Sequence, residues 1–316
     1  MFFLRFFNQV SPPKVFSQET FARLLETRDH TLTIRYIESY PNACVAWRTP
    51  QDECALIVAS RAGSVLVVEA LLRRGMFIDN QDQSHYTALW YAAIYGHQDV
   101  VHILLSQGAS LELPACNGPM LIEQCLHVNK QSTVIALLPY LEKKHINFLE
   151  NLLFHALINL KAYDLVCALL HNGISCNIGN ENNASVLMAA CTYGAHEVLD
   201  YLLNEKRLSI DIDDQNLGGL TPLMLVCVNG DLYSAKKLLE AGAQVNLCSE
   251  TQETALFFAV YYQFPKIVSL LLHYGANLSA FNENGLSVRE IVARSGNAEL
   301  GKIFDEYRLS AAKEFS

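Results

Sequence analysis

Apolar residues along this chain recur at helical spacing in short blocks, and the blocks come in pairs. Between Thr87 and Ala109, residues Leu89, Ala92 and Ala93 give a first helix a small apolar face, and Gly96 ends it where a left-handed residue is needed. Val100, Val101, Ile103, Leu104 and Leu105 then supply a second apolar stripe, and Gly108-Ala109 stops the chain before an extended finger. The punctuation repeats. A landmark leucine stands at Leu56, Leu89, Leu121, Leu153, Leu187, Leu223 and Leu256, at separations of 33, 32, 32, 34, 36 and 33. Three residues further on stand Ala59, Ala92, Gln124, Ala156, Ala190, Val226 and Ala259, and one beyond these Ser60, Ala93, Cys125, Leu157, Cys191, Cys227 and Val260. Most are small, as helices that approach to about 8–10 Å require.

This period of about thirty-three residues closely resembles that of the ankyrin repeat. Thr221-Pro222-Leu223 keeps the family's start signal, with Thr placed to cap the helix and Pro at its first position; Thr87-Ala88 and Thr254-Ala255 are near matches, and Gly96-His97 matches the family's turn. The resemblance implies an all-α ankyrin-repeat solenoid of about seven repeats with short finger hairpins and helical caps at both ends. The expected repeats are 49–80, 81–113, 114–145, 146–178, 179–214, 215–247 and 248–280. Val128 and Leu160 stand where a glycine belongs in the third and fourth, so 114–165 is the least regular stretch: a loosened joint, or two sequence-poor repeats held by stacking.

The expected organisation is an apolar tail over 1–15, a helical cap over 16–48 with a Phe21/Leu24/Leu25 face, ankyrin repeats over 49–280, a capping repeat over 281–307 and a tail over 308–316. Met1 to Phe7 is too short for a secretory signal or a membrane span; it reads as a tail folded onto the first helices or as a weak membrane or partner anchor. Ser287, Arg289 and Glu290 stand where a stacked repeat would carry apolar residues, as suits a last unit facing water.

Composition narrows the function. Of 316 residues 51% are apolar and 17% charged, which suits helices buried against two neighbours, and no apolar run reaches the roughly 18–20 residues that cross a bilayer. A net charge of −9 with only isolated basic pairs such as Arg73-Arg74, Lys143-Lys144 and Lys236-Lys237 argues against nucleic acid. Nine cysteines without a C-x-x-C pair make neither a disulfide frame nor a zinc site, and point to a reducing, cytoplasmic compartment. Cys125, Cys191 and Cys227 share one repeat position in this register and read as small buried fillers. The ten histidines lack metal spacing, and Asp211, Asp213 and Asp214 lack the Gly and Glu of a calcium loop. Cofactor, metal and small-molecule substrate are therefore not expected. An alternative keeps a cysteine-dependent enzyme site in the irregular stretch around 116–155, built on Cys125 with His127 and His155.

What remains is surface, and here the resemblance supplies the map. In the family, the two residues five and six past the landmark leucine and the finger tips meet a partner across a concave groove. Those helix positions hold Arg61-Ala62, Ile94-Tyr95, Leu126-His127, Ile158-Asn159, Thr192-Tyr193, Val228-Asn229 and Tyr261-Tyr262. The candidate partner-binding residues are Tyr86, Trp90, Tyr91, Tyr95, His127, Asn159, Tyr193, Asn229, Tyr261, Tyr262, Glu250 and Glu253, with Trp90 equally suited to the core. Acids dominate the tips, including Glu181, Asp213, Asp214 and Glu283; they imply a protein partner with a basic fringe around an apolar anchor, or else serve solubility alone. The tail, with Glu299, Asp305, Glu306, Glu314, Ser310, Ala311, Ala312 and Phe315, is similar to type IV secretion signals, which implies an effector that an intracellular bacterium delivers into host cytoplasm.

Overall fold

The computed structural model describes residues 15–26, 29–113, 117–142, 145–205 and 207–314, with 308–314 described by backbone alone. The expectations for Met1 to Phe7, for Lys143-Lys144, for Cys116 and for the side chains of 308–316 lie outside the described residues. Among the described residues regular structure is helical, and extended pairing is confined to isolated bridges at the bases of fingers: Arg48 with Cys54, Gln81 with Thr87, Cys248 with Thr254 and Phe281 with Ser287.

The chain forms two compact units, one ending at Ile146 and one beginning at Asn147. The first contains α1 (Gln18–Glu26), α2 (His30–Ser39), α3 (Pro41–Ala46), α4 (Ala55–Arg61), α5 (Val65–Arg73), α6 (Ala88–Tyr95), α7 (Gln98–Ser106), α8 (Gly118–His127) and α9 (Gln131–Leu137). The second holds α10 (Ile146–His155, its first residue at the boundary), α11 (Tyr163–His171), α12 (Val186–Tyr193), α13 (His196–Asn204), α14 (Pro222–Asn229), α15 (Leu232–Glu240), α16 (Ala255–Tyr261), α17 (Pro265–His273), α18 (Val288–Ser295) and α19 (Ala298–Glu314). Within each unit the first helix of a pair packs on the next first helix, α4 on α6 and α12 on α14 on α16, while second helices stack likewise, α5 on α7 and α13 on α15 on α17. Ala59, Ala92, Ala190 and Ala259 are buried between first helices, where a larger side chain would hold them apart. Each buried landmark leucine contributes about 2 kcal/mol by leaving water.

First helices begin on a capping oxygen. Thr87, Ser185, Thr221 and Thr254 accept from the third amide of α6, α12, α14 and α16. They end on a left-handed residue, and the amide after it reaches back five residues: His97 to Ala92, Ala195 to Ala190, Asp231 to Val226 and Phe264 to Ala259. This bond fixes the register and corrects one reading. In the third repeat it runs from Lys130 to Cys125, with Asn129 left-handed at φ 57°, so Ile122 rather than Leu121 occupies the landmark position. Cys125 thus aligns with Ala190 and Val226, not with Cys191 and Cys227, and Gln124 is exposed. The cause is a longer α8, capped by Asn117 four residues ahead of Leu121 where other caps precede the landmark by two. In the fourth repeat a π-helical turn over Ala156–Leu160 adds a residue, and the closing bond spans six, from Ala162 to Ala156, with Lys161 left-handed at φ 49°.

The fingers obey a common rule. A side chain at the turn's first position (Asp82, Asn180, Asn216 or Asn282) accepts from two amides of its own turn. In four fingers the second residue of the turn donates its N–H to the preceding finger: Gln83 to the Gln51 carbonyl at 3.2 Å, Leu217 to Asn182 at 3.1 Å, Glu250, which follows Ser249, to Gly218 at 3.1 Å and Glu283 to Thr251 at 3.0 Å. Asp79, Asp213 and Asn246 add a second tie, each accepting from the amide 31 residues on, Ser110, Gln244 and Asn277.

Candidate partner-binding site

A left-handed turn closes each of these first helices, in the fourth repeat one residue later than in the others, and the residues just ahead of it reach the surface. In the second unit these are Asn159, Tyr193, Asn229, Tyr261 and Tyr262, all exposed. Tyr193, Tyr261 and Tyr262 are 45%, 61% and 46% exposed, and Tyr95 in the first unit 52%. The rings of Tyr261 and Tyr262 meet edge to face with centroids 5.1 Å apart, and Tyr95 lies parallel to the His97 imidazole at 6.4 Å. Asn229 also holds the stack together, since its Nδ2 donates to the Thr192 carbonyl of the preceding repeat at 3.0 Å.

The first unit uses its other candidates differently. Trp90 is 6% exposed and stacks on Tyr86 at 4.6 Å, so the indole is core and supports the ring above it. Tyr91 is half-buried; its hydroxyl donates to Asp82 Oδ2 at 2.7 Å while the Arg61 guanidinium sits 5.6 Å from its ring centroid. Burial, with Asp82 beside it, raises the Tyr91 phenol above its ordinary value. Arg61 in turn pairs with the buried Glu53. This knot of Glu53, Arg61, Tyr91 and Asp82 escaped the sequence reading, because neither buried acid falls at a position that the repeat pattern marks. His127 is exposed at the end of α8.

Among the tip acids, Glu250 and Glu283 are exposed. Glu253 is engaged within its own finger, accepting from the Thr251 hydroxyl at 3.0 Å and from Asn282 Nδ2 at 3.4 Å. Asp213 serves as the tie to Gln244 described above. The tip residue Leu217 is 65% exposed, an apolar contact that sequence reasoning passed over; an apolar residue between Asn216 and Gly218 was the available signal.

The stacked pairs, left-handed turns and fingers agree with a family comparison. The pattern described as ankyrin repeats (3 copies) matches residues 30–115, 152–247 and 206–282, more than half of the chain. The chain belongs to the ankyrin-repeat family. The chain is also similar to the nuclear factor NF-kappa-B p105 subunit of Gallus gallus, 26% identical over 241 residues, which cover 72% of this chain and 24% of that protein. The ankyrin repeat and SOCS box protein 5 of Oryctolagus cuniculus is 33% identical over 110 residues, 35% of this chain and 32% of that protein. The ankyrin repeat and KH domain-containing protein mask of Drosophila melanogaster is 33% identical over 108 residues, 34% of this chain and 3% of that protein. The chain thus spans a third or less of each relative's length, and all three are animal proteins.

Ankyrin repeats in general mediate protein–protein interaction. The thiols of this array are placed for packing: Cys44 and Cys125 are fully buried, and burial pushes each up to about 12, while Cys191 and Cys227 are raised further. Among the described residues no helix is long and apolar enough to cross a membrane, and no three His, Cys, Asp or Glu side chains gather as a metal site.

Proposed function

We propose that this ankyrin-repeat protein holds a partner protein on the first-helix ends and finger tips of each of its two units, with no chemistry of its own. The observation that carries the reading is the exposure of Tyr95, Tyr193 and Tyr262 at one repeat position and of Tyr261 at the position before it. Tyrosine presents large contact area with few rotors and a polar tip, and such residues recur as the anchors of interfaces. A face already held by repeat-to-repeat hydrogen bonds loses little entropy when it binds. Tyr86, carried on Trp90, together with His127, Asn159 and Asn229, completes the set, while Tyr91 acts by holding Asp82 and Arg61 in place.

The partner is a protein with an apolar anchor and a basic fringe. Exposed Glu250 and Glu283 beside exposed Leu217 support that chemistry; Glu253 contributes through its charge rather than through a free carboxylate. The net charge of −9 disfavours nucleic acid. Burial and the raised Cys125 thiol weigh against the cysteine-dependent site around 116–155, because the thiolate is the nucleophile.

We also assign 16–48 as an N-terminal cap and 281–307 as a capping repeat around repeats 49–280. In support, Phe21 is buried against Tyr36 and Trp47, and Ser287 and Glu290 form a reciprocal capping box where a further repeat would need apolar side chains. The family match opens at residue 30, so α2 carries some repeat character. Reduced, buried cysteines fit a cytoplasmic protein. Delivery into host cytoplasm as a type IV effector is the finer reading, supported by the composition of residues 299–315 alone and tested by a translocation reporter carrying that segment.

The deciding experiment replaces Tyr95, Tyr193 and Tyr262 by Ala and compares captured proteins by mass spectrometry, with circular dichroism as the folding control. Loss of specific partners from a folded variant is expected. An unchanged partner set would sink the proposal.

A further inference from the structure

Among the described residues the finger rule leaves a donor unmet at Glu181. The finger of Asn180 to Ala184, the first in the second unit among the described residues, has the same turn as its neighbours: Asn180 Oδ1 accepts from Asn182 and Ala184 at 2.9 and 3.0 Å, and the Asn182 carbonyl accepts from Leu217. Glu181 stands where Gln83, Leu217, Glu250 and Glu283 each donate to a preceding finger, yet its N–H makes no hydrogen bond among the described residues. The opening finger of the first unit, Arg48 to Cys54, carries Pro50 at this position and so has no donor to offer. Proline is one of the devices by which an exposed strand edge is kept from pairing. Here the device is missing, and the edge is left able to pair.

The surroundings say what would pair with it. Glu181 lines an open cavity of about 590 Å³, with Asn180 and Ile178 on its own side and Glu150 and Phe154 from α10 on the other. Among the described residues two carboxylates and two half-buried apolar side chains border it, and no basic side chain does. We propose that this edge takes up an extended, basic segment of a partner protein. A carbonyl of that segment accepts from Glu181 N–H, a Lys or Arg lies between Glu150 and Glu181, and an adjacent apolar side chain rests on Phe154 and Ile178. The row of fingers is then lengthened by a strand from outside, main-chain pairing supplying orientation and the carboxylates the preference for positive charge. The proposal rests on the partner-holding reading only for the partner being a protein, and it uses none of the four exposed tyrosines.

The test is amide NMR on the full chain with two blocked pentapeptides, Val-Lys-Val-Lys-Val and Val-Glu-Val-Glu-Val. In the free chain the Glu181 amide should exchange much faster than those of Gln83, Leu217, Glu250 and Glu283. The lysine peptide should shift and protect it saturably, and the glutamate peptide should not. Glu181→Pro, a residue this turn already carries at Pro50, should weaken lysine-peptide binding at least about tenfold by removing the hydrogen bond and one carboxylate together. Glu181→Lys and Glu150→Lys, which keep the amide, should reverse the preference between the two peptides, while the tyrosine triple variant binds normally. A Glu181 amide already slow in the free chain, absence of lysine-peptide binding, or binding indifferent to all three glutamate substitutions would overturn the proposal. Binding lost only in the tyrosine variant would overturn it too, and would leave the tyrosine face standing.

Discussion

The imidazole of His97 occupies the space that a side chain on Gly63 would need: a Cβ there would lie 2.5 Å from Nδ1 and 2.7 Å from Cε1. The ring is pinned from its other end, because Nε2–H donates to the Arg61 carbonyl at 2.9 Å. Gly63 also sits at φ 72°, where L side chains are strained. Gly63→Ala therefore meets two penalties at once and should cost about 2–3 kcal/mol. Urea unfolding followed by far-ultraviolet circular dichroism measures it; a loss under about 0.5 kcal/mol, the size of a neutral surface change, would mean that His97 moves aside freely.

The converse change should stabilise. Gln263 holds the left-handed turn after α16 at φ 60°, where Gly96, Gly194 and Gly230 close the equivalent helices. Gln263→Gly relieves a strained backbone at the cost of one exposed contact with Asn297, and should raise stability by about 0.5–1 kcal/mol. The midpoint of the same urea transition should move upward.

Thiol reactivity should follow burial. Cys248 is exposed on a finger, whereas Cys44, Cys54, Cys125, Cys191 and Cys227 are buried with thiols raised first by desolvation. Iodoacetamide at neutral pH, read by peptide mapping of the native chain, should label Cys248 first among these cysteines and leave the buried ones intact until denaturant is added. Fast, pH-dependent labelling of Cys125 would revive a nucleophile in the irregular stretch.

Asp231 joins two repeats through charge. It caps α15 through the Ser234 amide at 3.1 Å and accepts from His196 Nε2 at 2.9 Å. Burial works against its ionisation, but the Ser234 hydroxyl and amide and then His196 outweigh it, and the carboxyl lies below its ordinary value. A depressed carboxyl adds stability above its unfolded value and loses it as pH falls through the folded one. Asp231→Asn should thus lower the melting temperature near neutrality, by an amount equivalent to about 1 kcal/mol, and the gap to the native chain should close as pH drops below about 4. A gap independent of pH would exclude the charge as its source.

The repeat was legible in sequence because its signals are local. A Thr or Ser cap, a small residue one turn into the helix and a glycine at its end each act within a few bonds of the backbone, so Thr87, Ala92 and Gly96 announce themselves without neighbours. The candidate site was legible only by position. Tyr95 and Tyr91 stand four residues apart, yet one is exposed and the other tied to Asp82.

The chain's own order of residues thus determined that helices pair, where most of them stop and which side chains pack between them. Only the folded units decided that Ile122 takes the place of Leu121, that a π-helical turn absorbs a residue ahead of Lys161, and that Trp90 is core while Tyr86 lies above it. They alone left the amide of Glu181 without an acceptor among the described residues, where its counterparts have one. The reason is physical: periodicity reports what one helix does to itself, whereas register, burial and an unmet donor are set by what the next repeat places opposite.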